Sequence, residues 1–182
     1  SSMDAVVSVK DLIKTADRWG WPAVAVTDHG VVQAFPDAAK ALSSCKSDLK
    51  VIYGMEGYLV QKDHLQKRAN HIIMLAKNPN GLRNLYQLVS LAHLRYFHRQ
   101  PRLPKHIIEE YRSGLLIGSA CEAGELIRAI EEQRTDEELM EIASFYDYLE
   151  IQPIHNNDFL KRSDKYPDIC LLYTSDAADD LT

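Results

Sequence analysis

Several features that would place this chain in a specialised class are scarce in its sequence. Only three cysteines occur in 182 residues, and their odd number and irregular spacing argue against a disulfide framework and favour a reducing compartment. No apolar run approaches the roughly 20 residues that a membrane helix needs. The opening residues also lack the basic and apolar regions of a signal peptide. We therefore expect a cytoplasmic protein with no membrane partner.

Positive charge is also in deficit. The 21 Lys+Arg and 26 Asp+Glu give a net charge of −5, so no overall positive field attracts the chain to nucleic acid. One basic stretch departs from this balance and holds Arg95, Arg99, Arg102 and Lys105 among aromatic residues. Such mixtures occur on surfaces that bind nucleic acid, and they also suit a solvated loop. We treat the stretch as a candidate nucleic-acid or interdomain contact.

Hydrophobic periodicity predicts helices that alternate with short strands. The predicted helices cover about 8–20, 36–45, 82–92, 105–111, 122–132 and 136–145, and the predicted strands cover 23–26, 50–60, 71–76, 114–119 and 148–151. A loop is predicted at 61–70 and a turn at 78–81. Alternation of this kind implies parallel strands joined by right-handed crossovers. No glycine-rich phosphate loop follows any strand, which favours a barrel over a nucleotide-binding sheet.

Residue types that ligate metals lie in or beside several of the predicted strands. His29 follows the first strand, Glu56 lies within the second, and Cys121 comes after a later one. A carboxylate in an apolar strand is costly to bury unless it is paired or bound to a metal. The alternatives remain open for the others: a capped turn at His29, a structural histidine at His71, and a small buried apolar side chain at Cys121.

Short segments spread along the chain have a recognisable order. They are Met-Asp-Ala at 3–5, Ala-Val-Thr-Asp-His-Gly at 25–30, Val-Ile-Tyr-Gly-Met-Glu at 51–56, His-Ile-Ile-Met-Leu-Ala-Lys-Asn at 71–78, Gly-Leu-Arg-Asn-Leu-Tyr at 81–86, Gly-Leu-Leu-Ile-Gly-Ser-Ala-Cys-Glu-Ala-Gly-Glu at 114–125 and Phe-Tyr-Asp-Tyr-Leu-Glu-Ile-Gln-Pro at 145–153. In this order they resemble the PHP (polymerase and histidinol phosphatase) domain family, and within it the domains of PolC-type replicative DNA polymerases.

The resemblance implies a fold and a metal site. The fold is an incomplete, distorted (β/α)7 barrel of the PHP type, formed by a partial PHP domain at 1–169. The implied metal ligands are Asp4, His29, Glu56, His71 and Cys121. Asp28 is expected to orient His29 through its second ring nitrogen. Zinc or manganese is implied at this site, and magnesium in the parent polymerase.

The resemblance also implies what kind of protein the chain comes from. It is expected to be a fragment of a DNA-directed DNA polymerase, namely a metal-binding accessory domain with the capacity for phosphoesterase chemistry. Its partners are then the polymerase body and, through that body, DNA. A free-standing PHP phosphoesterase acting on a small phosphate monoester is the alternative.

Two segments depart from the pattern of the family. The loop at 61–70 replaces the proofreading exonuclease that PolC-type chains carry at this point. Residues 170–182 resemble the translation of a sequencing adapter and are predicted to be a non-native tail. A frayed native terminus is the alternative for this tail.

Overall fold

The computed structural model describes residues 6–45, 47–62, 65 and 68–152. It divides into two compact units, unit 1 at 1–117 and unit 2 at 118–182. Asp4 and the tail at 170–182 lie outside the described residues. Within the described ranges, every helix is too short or too polar to cross a bilayer.

The order of elements is that of a mixed α/β fold. Unit 1 contains the helices Val9–Arg18 (α1), Phe35–Leu42 (α2), Pro79–Leu94 (α3) and Lys105–Glu110 (α4). Its strands are Ala23–Val26 (β1), Lys50–Val60 (β2), Asn70–Ala76 (β3), Phe97–His98 (β4) and Gln100–Pro104 (β5), and Leu115–Gly118 (β6) ends at the first residue of unit 2. Unit 2 adds the helices Glu125–Glu131 (α5) and Asp136–Ser144 (α6). The six predicted helices are confirmed, with bounds that shift by up to three residues.

Among the described residues, strand β2 is the centre of a six-stranded sheet. Its first half pairs with β1 in parallel, and its last residues pair with β5 in parallel along the same edge. Its other edge pairs with β3 in the antiparallel direction, and β6 lies beyond β3. Strand β4 completes the sheet as an antiparallel neighbour of β5.

The antiparallel pair β2–β3 corrects the expectation that all strands run parallel. Residues 61–69 connect these two strands. A parallel crossover needs about a dozen residues or more, and it usually includes a helix. The chain therefore turns back and pairs beside the strand it has just left.

Three further segments differ from the sequence prediction. The basic stretch, where no strand is predicted, contains β4 and β5, and two prolines in β5 weaken the strand signal. The predicted turn at 78–81 is the start of α3, because Asn78 caps the helix and Pro79 occupies its first turn. The predicted strand at 148–151 is reduced to one bridge, between Gly118 and Tyr148 in unit 2.

The two faces of the β2–β3 pair have different characters. Met55 lies opposite Met74, and Gly57 lies opposite Ile72, so these four residues share one face of the pair. The side chains of Met55, Met74 and Ile72 are almost fully buried. Alternation along both strands places Glu56 and its neighbours on the other face. Burial of the apolar face thus fixes which side of the sheet presents the polar residues, because a shift of register by one residue would bury them instead.

Candidate metal centre

His29 reaches the candidate site because the chain continues alongside β2 after β1 ends. The Glu56 N–H donates to the Asp28 carbonyl over 3.1 Å, and the Gly30 N–H donates to the Glu56 carbonyl over 2.8 Å. These two bonds form a parallel bridge between His29 and Glu56. They place the imidazole and the carboxylate on the same face of the sheet.

His71 reaches the same point from the opposite edge of β2. The register pairs Tyr58 with His71 and Glu56 with Ile73, so His71 is a diagonal neighbour of Glu56 on one face. Glu56 Oε1 lies 2.5 Å from His71 Nδ1 and 3.0 Å from His29 Nε2. One carboxylate oxygen therefore faces a ring nitrogen from each histidine.

The electrostatics of the site keep Glu56 charged. Burial raises the pKa of the Glu56 carboxyl, but the hydrogen bonds and charges of His71 and then His29 outweigh it, so this pKa lies below its usual value. One ligand atom from each of the three residues lies within 4.8 Å of the others. Two imidazoles and an ionised carboxylate form a donor set that suits zinc and related divalent ions.

Tyr58 is a further residue of the site, and it was not singled out from the sequence. Its ring centre lies 5.6 Å from that of His71, edge-on, and 6.3 Å from that of His29. The two imidazole centres are 5.5 Å apart. Tyr58 stands two residues after Glu56 on the same strand, so the period of a strand was the signal that could have identified it.

Gly30 is required beside His29 for two reasons. Its φ of +66° belongs to the left-handed region of the backbone, which residues other than glycine rarely adopt. A Cβ atom at this position would also lie 2.5 Å from Pro101 Cγ and 3.3 Å from the Tyr58 ring. The glycine therefore allows the loop after β1 to pass close to β5.

The other predicted ligands are not assembled by the described residues of unit 1. Asp4 lies outside the described residues, and Cys121 belongs to unit 2, where its carbonyl accepts a hydrogen bond from Gly124 N–H. Asp28 contributes its backbone carbonyl to the Glu56 bridge. The ligand roles of Asp4 and Cys121 and the orienting role of Asp28 stay predictions.

The four basic residues predicted as one contact surface have different environments. Arg95 and Arg99 are exposed, and Lys105 is half-buried. Arg102 is only 3% exposed and lies opposite Tyr58 in the β2–β5 register. Its burial removes Arg102 from the exposed basic surface, and the contact role of the other three stays a prediction.

Comparisons with known proteins agree with the resemblance read from the sequence. A family model described as the PHP domain matches residues 1–153. The chain is 63% identical over 113 residues to the PolC-type DNA polymerase III of Clostridium perfringens and 53% identical over 88 residues to that of Bacillus subtilis. These matches cover 62% and 48% of this chain but only 8% and 6% of the relatives, so the chain spans a small part of their length.

A solved structure shares the fold. It is a protein from Bifidobacterium adolescentis, provisionally named a metal-dependent phosphoesterase. The match has a TM-score of 0.50 and 14% identity and covers 87% of this chain and 78% of that one. At this identity the likeness concerns the fold alone. Because the family model covers most of the sequence, the chain belongs to the PHP domain family.

Proposed function

We propose that this chain is the metal-binding accessory domain of a PolC-type replicative DNA polymerase. The observation that carries the proposal is the convergence of His29, Glu56 and His71 within 4.8 Å. The similarity to PolC-type DNA polymerase III chains supports the polymerase part of it. In this proposal the domain works in the cytoplasm, contacts DNA through the polymerase body, and belongs to a parent enzyme that uses magnesium.

The residues of the cluster would hold a divalent ion, with zinc or manganese as the proposed species. Such an ion would supply Lewis-acid polarisation of a phosphoryl oxygen. Glu56 would offset part of the charge of the ion, and the two strands and the β1 extension would fix the ligand directions before binding. Asp4 and Cys121 are proposed as further ligands, within the distorted (β/α)7 barrel that the family resemblance implies.

Metal binding can be tested directly on the 182-residue chain. We expect Glu56→Gln and His71→Ala to weaken the affinity for manganese by at least about tenfold, since even changes outside the ligand set cost 10–100-fold. Equilibrium dialysis with elemental analysis gives the affinity and the stoichiometry. Glu109→Gln, on the exposed side of α4, is the matched control. Affinities that stay equal in all variants would remove these residues from the metal site.

A free-standing phosphoesterase that acts on a small phosphate monoester is the second candidate. The likeness of fold to the Bifidobacterium adolescentis protein favours it. Sequencing of the source locus on both sides of this reading frame separates the two candidates. A frame that continues into polymerase sequence supports the accessory domain, whereas start and stop codons that bound this chain support the free-standing enzyme.

A further inference from the structure

A groove of about 590 Å³ lies between helices α1 and α2, and none of its lining residues belongs to the metal centre. Two turns of each helix form its walls. The lining residues are Ser8, Val9, Lys10, Lys14, Asp37, Lys40, Ala41 and Ser44. Three lysines and one aspartate therefore line the groove, and the Asp11 carboxylate lies beside Ser8 at its rim, although the whole chain carries a net charge of −5.

The three lysines are not neutralised within the described part of the chain. Lys10, Lys14 and Lys40 are all exposed, and none of them forms an ion pair with a described residue. The two serine hydroxyls of the groove already donate within the chain, because Ser8 Oγ donates to Asp11 Oδ2 over 2.7 Å and Ser44 Oγ donates to the Ala41 carbonyl over 2.6 Å. The lysines are therefore the groups of the groove that remain available to an anion.

Helix stability does not account for Lys10. It lies in the first turn of α1, two residues after the Ser8 cap, where the helix dipole disfavours a cation. Asp37 in the first turn of α2 and Lys40 in its last turn both suit the dipole. The unfavourable placement of Lys10 is explained if its charge serves binding.

We propose that this groove binds the phosphodiester backbone of DNA. Lys10 and Lys14 are one helical turn apart, about 6 Å along the axis of α1. Phosphates on one DNA strand are spaced by about 3.4 Å along the duplex axis, so the two lysines span about two phosphate steps. Lysine is a mobile point charge, which suits contact with a backbone rather than the reading of bases. The choice of DNA among polyanions rests on the proposed polymerase origin, but the binding itself needs no metal.

The test measures binding of the full 182-residue chain to a fluorescein-labelled 20-base-pair duplex by anisotropy, in EDTA, between 50 and 200 mM salt. The triple variant Lys10→Ala/Lys14→Ala/Lys40→Ala is expected to bind at least tenfold more weakly at 50 mM salt. Its salt slope should fall by about 2 to 3, since each phosphate contact contributes about 0.9. The corresponding triple Lys→Arg variant should keep both quantities.

A second triple variant controls for overall charge. Lys50→Ala/Lys62→Ala/Arg83→Ala removes three exposed charges of the same sign outside the groove and should leave binding within twofold. Thermal melts check that each variant is folded, and Lys10→Ala alone is the fallback, with an expected threefold loss. Equal weakening by both triple variants, an unchanged salt slope, or tighter binding of poly-L-glutamate than of DNA would each overturn the proposal. Because EDTA is present throughout, a failed metal site leaves this test unaffected.

Discussion

Glu56 and Glu125 are both largely buried carboxylates, but they differ in the groups that surround them. Glu56 faces two imidazoles in unit 1, and its side chain remains 18% exposed, so an ion can reach it. Glu125 in unit 2 is 9% exposed and accepts a hydrogen bond of 3.2 Å from the Tyr146 hydroxyl. The first arrangement offers ligand atoms that can be redirected to a metal, whereas the second uses a hydroxyl to satisfy a buried charge.

The Tyr146 hydroxyl should make the stability of the chain depend on alkaline pH. Burial, followed by the charge of Glu125, raises the pKa of the Tyr146 hydroxyl far above its usual value. The unfolded chain therefore loses this proton near pH 10 while the folded chain keeps it, so stability falls as the pH rises above about 10. We expect Tyr146→Phe to flatten this fall in urea unfolding measured at pH 8 and pH 10.5.

At pH 8 the same variant should be less stable by about 1–3 kcal/mol, the cost of a lost hydrogen bond to a buried charge. Tyr86→Phe is the control, because this tyrosine is 44% exposed and its change should alter stability by less than about 0.5 kcal/mol. If the variant and the wild type lose equal stability between the two pH values, the link between Tyr146 and alkaline unfolding is wrong.

The residues of the site differ in how visible they are in the sequence. Glu56 was identifiable because a carboxylate between apolar neighbours in a strand needs a partner. Tyr58 was not singled out, because tyrosine is common in strands, and its spacing of two residues from Glu56 is informative only once Glu56 is known to face a site. Lys10 was equally hidden, since its significance depends on Lys40 from another helix, and only the packing of α1 against α2 brings the two to one groove.

At the scale of elements, the reversal between β2 and β3 decides the position of His71. His71 stands near the start of β3, whereas Glu56 lies past the middle of β2, so parallel strands with their first residues aligned would hold these two positions about five residues apart. The antiparallel register instead pairs His71 with Tyr58 beside Glu56. The bounds of β1 and β2 could be predicted from apolar runs, but strand direction could not, because the alternation rule says nothing of two strands with no helix between them.

The cap at the start of α3 should contribute measurably to stability. Asn78 Oδ1 accepts a hydrogen bond of 2.9 Å from Gly81 N–H and so caps the longest helix of the described chain. Asn78→Ala is expected to lower the free energy of unfolding by about 0.5–2 kcal/mol, and Asn78→Asp should stay near wild type because aspartate also caps. Urea unfolding at pH 7 measures both. An equal loss in the two variants would show that the amide acts through something other than its capping oxygen.

At the scale of the whole molecule, family membership and charge distribution answer different questions. The ordered motifs predicted the PHP family, and the family model confirms it over residues 1–153. Net charge predicted no attraction to nucleic acid, yet three lysines without ion pairs among the described residues converge between α1 and α2. A sum over the chain cannot report such a local field, because exposed charges are screened beyond about 10 Å.

Metal binding should also stabilise the molecule as a whole. A ligand that binds only the folded chain adds about 2.7 kcal/mol at 100 times its Kd. For a chain of this size that corresponds to a rise in Tm of about 5–11 °C. Manganese is the better probe, because zinc also binds the cysteines and histidines of the unfolded chain and this reduces the effect.

The rise should depend on the three ligands of unit 1. At the same manganese concentration we expect the rise for Glu56→Gln in calorimetry to be about half that of the wild type or less, because the variant replaces the charged oxygen that both imidazoles face, and a tenfold loss of affinity leaves about 1.4 of the 2.7 kcal/mol. Glu109→Gln should rise as the wild type does. If Glu56→Gln gains as many degrees as the wild type, the ion that stabilises the fold is held by other donors, and the cluster of His29, Glu56 and His71 is a hydrogen-bonded structural group.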